Sequence, residues 1–131
     1  MNTQPRLTRN QDMVFRVLVD AKTPLSAYTI LDQVREFGIR APLQIYRALD
    51  KLQGWGMVHR LESLNAFIAC ARADCQRHEM VAFAICDKCR HVSEFSDAQV
   101  KAHLDNWVGD KEFLANQTAI EIRGTCRACA R

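Results

Sequence analysis

Apolar positions recur at helical spacing in three stretches of the first half of the chain, and then give way to the alternation of strands. The first stretch opens at Thr8, with Gln11 three residues later. That is the spacing of a capping box, in which each side chain bonds the other residue's backbone N–H. Val14, Val17 and Leu18 form its apolar side, and Pro24 requires the helix to end near residues 21–23. Ser26 is the next N-cap candidate, with Tyr28, Ile30, Leu31, Val34 and Phe37 as the apolar side of a second helix that Gly38 stops. Pro42 suits the first turn of a third helix, with Ile45, Leu49 and Leu52 on one face and Gly54 and Gly56 beyond its end. A hairpin follows over residues 57–61 and 66–70, with a polar bend through Glu62, Ser63 and Asn65. Further strand-like runs occupy residues 80–85, 92–95 and 118–125.

Three short helices and a hairpin make a winged helix-turn-helix, a module whose third helix enters the major groove of duplex DNA. On that helix Gln44, Arg47 and Lys51 face away from the apolar stripe, with Tyr46 near its edge. Arginine can bond guanine O6 and N7 together, and tyrosine can reach phosphate or a thymine methyl. An ordinary solvated helix face would also carry Arg47 and Lys51, so the charge distribution matters. Residues 1–70 hold nine basic and six acidic side chains, whereas residues 71–131 hold nine of each. The whole net charge of +3 therefore sits in the first half, which suits a partner that is a polyanion. Asp32 and Arg35, three apart on the second helix, are expected to form a local ion pair.

Five of the six cysteines lie beyond residue 70. With no apolar run long enough for a membrane span and no apolar segment in residues 1–10, a cytoplasmic protein without a membrane partner is expected. In that setting cysteines point to metal or redox chemistry rather than to a disulfide scaffold. Cys86-Asp87-Lys88-Cys89 and Cys126-Arg127-Ala128-Cys129 are two C-x-x-C knuckles. Together they offer four thiolates to one Zn²⁺, a closed tetrahedral shell that leaves no position for catalysis, so an enzyme is not expected. A redox dithiol would come singly at a helix start, whereas these pairs follow strand-like runs. A second set is possible at the wing. A two-residue turn at Leu64-Asn65 would place His59 directly across from Cys70, with His78 and Glu94 available to complete an N₂SO shell. His91 and His103 read as surface groups. Cys75 remains unassigned, and with Cys70 leaves a thiol redox or peroxide sensor as an alternative.

The segments Arg40-Ala41-Pro42-Leu43-Gln44-Ile45-Tyr46-Arg47-Ala48-Leu49, Gly56-Met57-Val58-His59-Arg60-Leu61-Glu62-Ser63 and Cys86-Asp87-Lys88-Cys89-Arg90-His91-Val92-Ser93-Glu94 resemble the ferric uptake regulator family, most closely its zinc-responsive members. The resemblance spans nearly the whole chain. It implies an α+β protein, with a winged-helix DNA-binding domain over residues 1–70, a hinge at about 71–79, and a small α/β dimerisation and metal-binding domain over 71–131. It implies a homodimer that binds operator DNA and represses zinc-acquisition genes when zinc is plentiful. By position, Cys86, Cys89, Cys126 and Cys129 match the structural zinc ligands, and His59, Cys70, His78 and Glu94 the regulatory ones, giving about two Zn²⁺ per subunit. Tyr46 and Arg47 match the Tyr-Arg of the family's recognition helix, and Tyr28 a DNA-contacting tyrosine of the helix before it. Two departures stand out. Arg77-His78-Glu79-Met80 has a single histidine where iron-responsive members have several, and Gln44 stands where the family has Thr or Ser. A regulator of the same family that senses Fe²⁺ or Mn²⁺ is the alternative.

Overall fold

The computed structural model describes residues 6–70 and 80–131. The chain divides into two compact units, Met1–Gln76 and Arg77–Arg131.

The first unit runs α1 (Arg9–Asp20), α2 (Ala27–Val34), a 3₁₀ turn (Arg35–Phe37), α3 (Pro42–Gly54), β1 (Val58–Leu61) and β2 (Ala66–Ala69). Thr8 and Gln11 close the expected capping box on α1, and the Ser26 hydroxyl accepts from the Thr29 N–H at the start of α2. The three helices meet through Val14, Leu18, Ile30, Leu31, Val34, Ile45, Leu49 and Leu52, all buried in one cluster. Each such side chain contributes about 1.5–3 kcal/mol by leaving water. An antiparallel bridge between Leu25 and Phe67 sews the hairpin to the segment between α1 and α2. Asp32 and Arg35 form the expected ion pair at 3.6 Å.

Two apolar positions assigned to the second helix are solvent-facing. Past Val34 the backbone tightens from α to 3₁₀, which rotates Phe37 off the buried stripe before Gly38 ends the turn with φ 104°. Tyr28 flanks a stripe made of Ala27, Ile30, Leu31 and Val34, and is 62% exposed.

The hairpin register also differs from expectation. Its pairs are Val58 with Ala69, His59 with Ile68, Arg60 with Phe67 and Leu61 with Ala66. The connection is a four-residue bend rather than two. The Leu64 N–H donates to Leu61 O and the Asn65 N–H to Glu62 O, and Asn65 takes the left-handed conformation as the last loop residue. The register therefore moves by two positions, an even shift that leaves every side chain on its expected face. Cys70 sits on the same face as Ile68 and diagonal to His59, not opposite it.

The second unit runs β3 (Met80–Cys86), β4 (Val92–Phe95), α4 (Ala98–Asp110) and β5 (Thr118–Gly124). Its sheet has the order β4-β3-β5, with β4 antiparallel and β5 parallel to the central strand. A central strand needs apolar side chains on both faces, and the run Met80-Val81-Ala82-Phe83 is buried throughout. α4 supplies the crossover that a parallel pair requires. Asp97 caps it by accepting from the Gln99 and Val100 N–H groups. Among the described residues, no helix is long and apolar enough to cross a membrane.

Candidate metal centre and nucleic-acid interface

The parallel register between β3 and β5 ends at Cys86 opposite Gly124. Both C-x-x-C knuckles therefore leave the sheet side by side. The Asp87 N–H donates to Gly124 O at 2.8 Å, which carries the pairing into the first knuckle. Arg90 turns that knuckle back with φ 64°, and its N–H donates to Cys86 O. In the second knuckle the Cys129 and Ala130 N–H groups both donate to Cys126 O. The four sulfurs converge within 4.8 Å of one another, and Cys89 Sγ lies 3.7 Å from Cys126 Sγ. Four ligands at ~2.3 Å around a tetrahedral Zn²⁺ stand about 3.8 Å apart, so the arrangement fits that ion.

The electrostatics favour a cation. The Cys89 N–H, and after it the Cys126 N–H, donate to Cys86 Sγ and lower its pKa from 9.0 to about 6. Cys129 is pushed up to about 12, chiefly because its thiol bonds the Cys126 sulfur and then that of Cys89. Four thiolates in this space repel one another, and a divalent cation relieves the repulsion. The Asp87 carboxylate also receives Arg123 Nε and Nη2, at 2.9 and 2.8 Å, which ties the first knuckle to β5. Sequence spacing could not reveal this pair, because it depends on the parallel register.

The residues assigned to a second metal set are placed as follows. His59 lies on β1 and Cys70 just past β2, with the Cys70 N–H donating to Met57 O. Their ligand atoms come within 4.8 Å of each other, although the two residues are diagonal rather than opposed. Cys70 is disulfide-bonded in this structure, so its sulfur becomes a ligand only once reduced to the thiolate. Glu94 lies on β4 opposite Phe83. His78 and Cys75 fall outside the described residues.

On α3, Ile45, Ala48, Leu49 and Leu52 face the core. Gln44, Arg47 and Lys51 are exposed and line one groove together with Thr8 and Gln11 of the α1 start. Tyr46 is 39% exposed at the flank. Tyr28 of α2 is exposed as well, as a contact residue needs to be. Gln44 has an additional role that spacing did not suggest. Its Oε1 accepts from the N–H groups of Arg40 and Ala41, both at 3.2 Å, and so caps α3, since Ala41 has no side-chain oxygen to do it.

A winged helix on the same chain as a four-cysteine metal centre defines a metal-binding protein with a nucleic-acid-reading module. More narrowly, the chain belongs to the ferric uptake regulator family, whose sequence profile matches residues 2–123. It is 35% identical over 125 residues to the zinc uptake regulation protein of Escherichia coli (strain K12), covering 95% of this chain and 72% of that protein. A solved zinc uptake regulator complexed with zinc and DNA matches with a TM-score of 0.89 at 35% identity, covering 95% of this chain and 83% of that one. The crystal structure of holo XcZur matches with a TM-score of 0.87 at 41% identity, covering 95% and 86%.

Proposed function

We propose that this chain is a zinc-responsive transcriptional repressor, which binds operator DNA as a homodimer when a regulatory site is zinc-loaded and so controls zinc uptake genes in the cytoplasm. The observation that carries the proposal is the position of His59 and Cys70. Two metal-ligating side chains within 4.8 Å of each other stand on the wing of the DNA-reading module itself. Similarity to zinc uptake regulators over 95% of the chain supports it.

Each subunit would hold about two Zn²⁺. The ion at Cys86, Cys89, Cys126 and Cys129 is structural and cross-links the two ends of the second unit. The regulatory ion takes His59 and Cys70, joined by His78 and Glu94 on the strength of the family resemblance. One thiolate, two imidazoles and one carboxylate suit four-coordinate zinc, whereas Fe²⁺ and Mn²⁺ favour N/O shells with more ligands.

His59 and Cys70 belong to the wing, and Glu94 to the second unit. An ion shared among them restricts the orientation of each reading head. A dimer reads two half-sites on successive major grooves, ~34 Å apart, so restricting the heads to that spacing favours binding. Zinc then tightens DNA binding, and by linkage DNA tightens zinc binding by the same factor. Arg47, Gln44, Tyr46 and Tyr28 would face bases and phosphates, and Lys51 phosphate.

A gel-shift titration of the reduced protein with zinc, iron and manganese, after graded chelation, tests this reading. Zinc alone should restore operator binding at the lowest free metal concentration. Restoration by iron or manganese at lower concentrations would reassign the metal. Zinc-independent binding would remove the regulatory site.

A further inference from the structure

Gln44 occupies the third position of α3, among the N-terminal residues that a recognition helix presents to base edges. A glutamine free to use both ends of its amide reads adenine, accepting from N6–H and donating to N7. Here the carbonyl end is occupied. Oε1 has two lone pairs, and the backbone N–H groups of Arg40 and Ala41 take one each. Because both partners are donors, the atom facing them is the oxygen, and the amide orientation is fixed by chemistry. What remains is Nε2, with two N–H donors and no acceptor. It lies on the exposed face that also carries Arg47 and Lys51.

We infer that Gln44 selects a base with a major-groove acceptor in each half-site, guanine through O6 or N7, thymine through O4 or adenine through N7, and rejects cytosine at that position. In the major groove guanine, thymine and adenine each present at least one acceptor, whereas cytosine presents only its N4 amino donor. A donor-only side chain therefore excludes cytosine, whereas an acceptor-only one in its place takes cytosine or adenine. Turning the amide over to accept from cytosine N4–H or adenine N6–H would release two backbone N–H groups at the start of α3, so the cap enforces the selectivity. One residue thus holds the helix end and sets the sign of the readout. The inference rests on the DNA-binding reading above, and it names a specificity that the reading leaves open.

The test is selection from a duplex library with a randomised 30-base-pair window. The full-length, reduced, zinc-loaded protein is compared with Gln44→Glu and Gln44→Ala. Glutamate retains an acceptor at the third helical position, so α3 stays capped, but it exchanges the donor for a second acceptor. Thermal melting should show Gln44→Glu close to the parent and Gln44→Ala lower. The parent should disfavour C at one symmetric pair of positions, by roughly 3- to 10-fold against G, T or A, as one hydrogen bond made or lost would give. Gln44→Glu should shift the same pair to C or A and away from G and T, and Gln44→Ala should flatten it. The inference is overturned if cytosine is the base lost in Gln44→Ala, or if no position differs among the three proteins. A parent that selects no sequence at all overturns the DNA-binding reading, and this inference with it. A parent that selects an operator whose bases are indifferent to residue 44 overturns the inference alone.

Discussion

Cys89→Ser isolates what the four-cysteine centre contributes to the fold. Cys89 and Cys126 are 37 positions apart, and a metal bridging their sulfurs closes the chain segment that holds β4, α4 and β5. Treated as a cross-link on the unfolded chain, a loop of that length removes about 13 cal/mol/K of entropy, or about 4 kcal/mol at 25 °C. The second unit spans about 55 residues, for which a stability of about 3–8 kcal/mol is ordinary. Loss of the cross-link therefore removes half or more of what holds the unit folded. Loss of the cation also lets the crowded sulfurs take up protons again, the raised Cys129 thiol first among them. The expected outcome is loss of one zinc per subunit, loss of the cooperative melting transition of the second unit, and monomer or aggregate on size-exclusion chromatography. Excess zinc should not rescue it, because three thiolates leave the shell open. A zinc-loaded dimer with an unchanged melt would refute this reasoning and take Cys89 out of the centre.

Three further predictions follow from the geometry. Arg47→Ala should weaken operator binding by ~1–3 kcal/mol in fluorescence anisotropy with zinc content and melting unchanged, since Arg47 is exposed and lies outside the core; unaltered affinity would count against α3 as the reading helix. Lys51→Ala should weaken binding to all duplexes alike and reduce the slope of log affinity against log salt by about one, whereas a sequence-selective loss would place Lys51 on a base edge. Zinc uptake by the four-cysteine centre should release protons, and its affinity should fall as pH falls. Between pH 7 and 8 Cys86, with its pKa lowered to about 6, is already largely thiolate and should release little, while Cys129, raised to about 12, should release a full proton. Uptake in a weakly buffered indicator solution checks the count, and a pH-independent affinity would argue against thiolate ligation.

The parts of this protein legible in its sequence are those governed by local rules. The capping box at Thr8 and Gln11, the N-cap at Ser26, the Pro42 start of α3 and the apolar stripes of the helices all depend on residues three or four apart. The C-x-x-C knuckles are equally local. The remaining features are decided by distant or cumulative geometry. The bend at residues 62–65 closes with Asn65 as its last residue rather than in a two-residue turn, which moved Cys70 from opposite His59 to diagonal. Phe37 left the buried stripe because the helix pitch changes after Val34. α4 has only a faint sequence signal, Asp97 and the spacing of Val100, Leu104 and Val108, because none of its residues is buried and its polar and apolar sides are weakly separated. The Asp87–Arg123 pair and the hydrogen bonds that lower the Cys86 pKa both require the parallel pairing of β3 with β5, which no local pattern encodes.

The most direct test of zinc-controlled DNA binding is the affinity of Cys70→Ser for operator DNA with and without zinc, under reducing conditions. Cys70 is separate from the four cysteines of the second unit, so the variant should stay folded and dimeric, with zinc falling from about two ions per subunit toward one. The parent should bind operator more tightly with zinc by about 5- to 150-fold, the usual range of an allosteric coupling of ~1–3 kcal/mol. In Cys70→Ser that ratio should collapse to about one. The measurement is repeated in a Cys75→Ser background, so that the neighbouring thiol in the sequence cannot replace the lost ligand. Full zinc-dependent binding by Cys70→Ser in that background would contradict the account and place the regulatory site elsewhere.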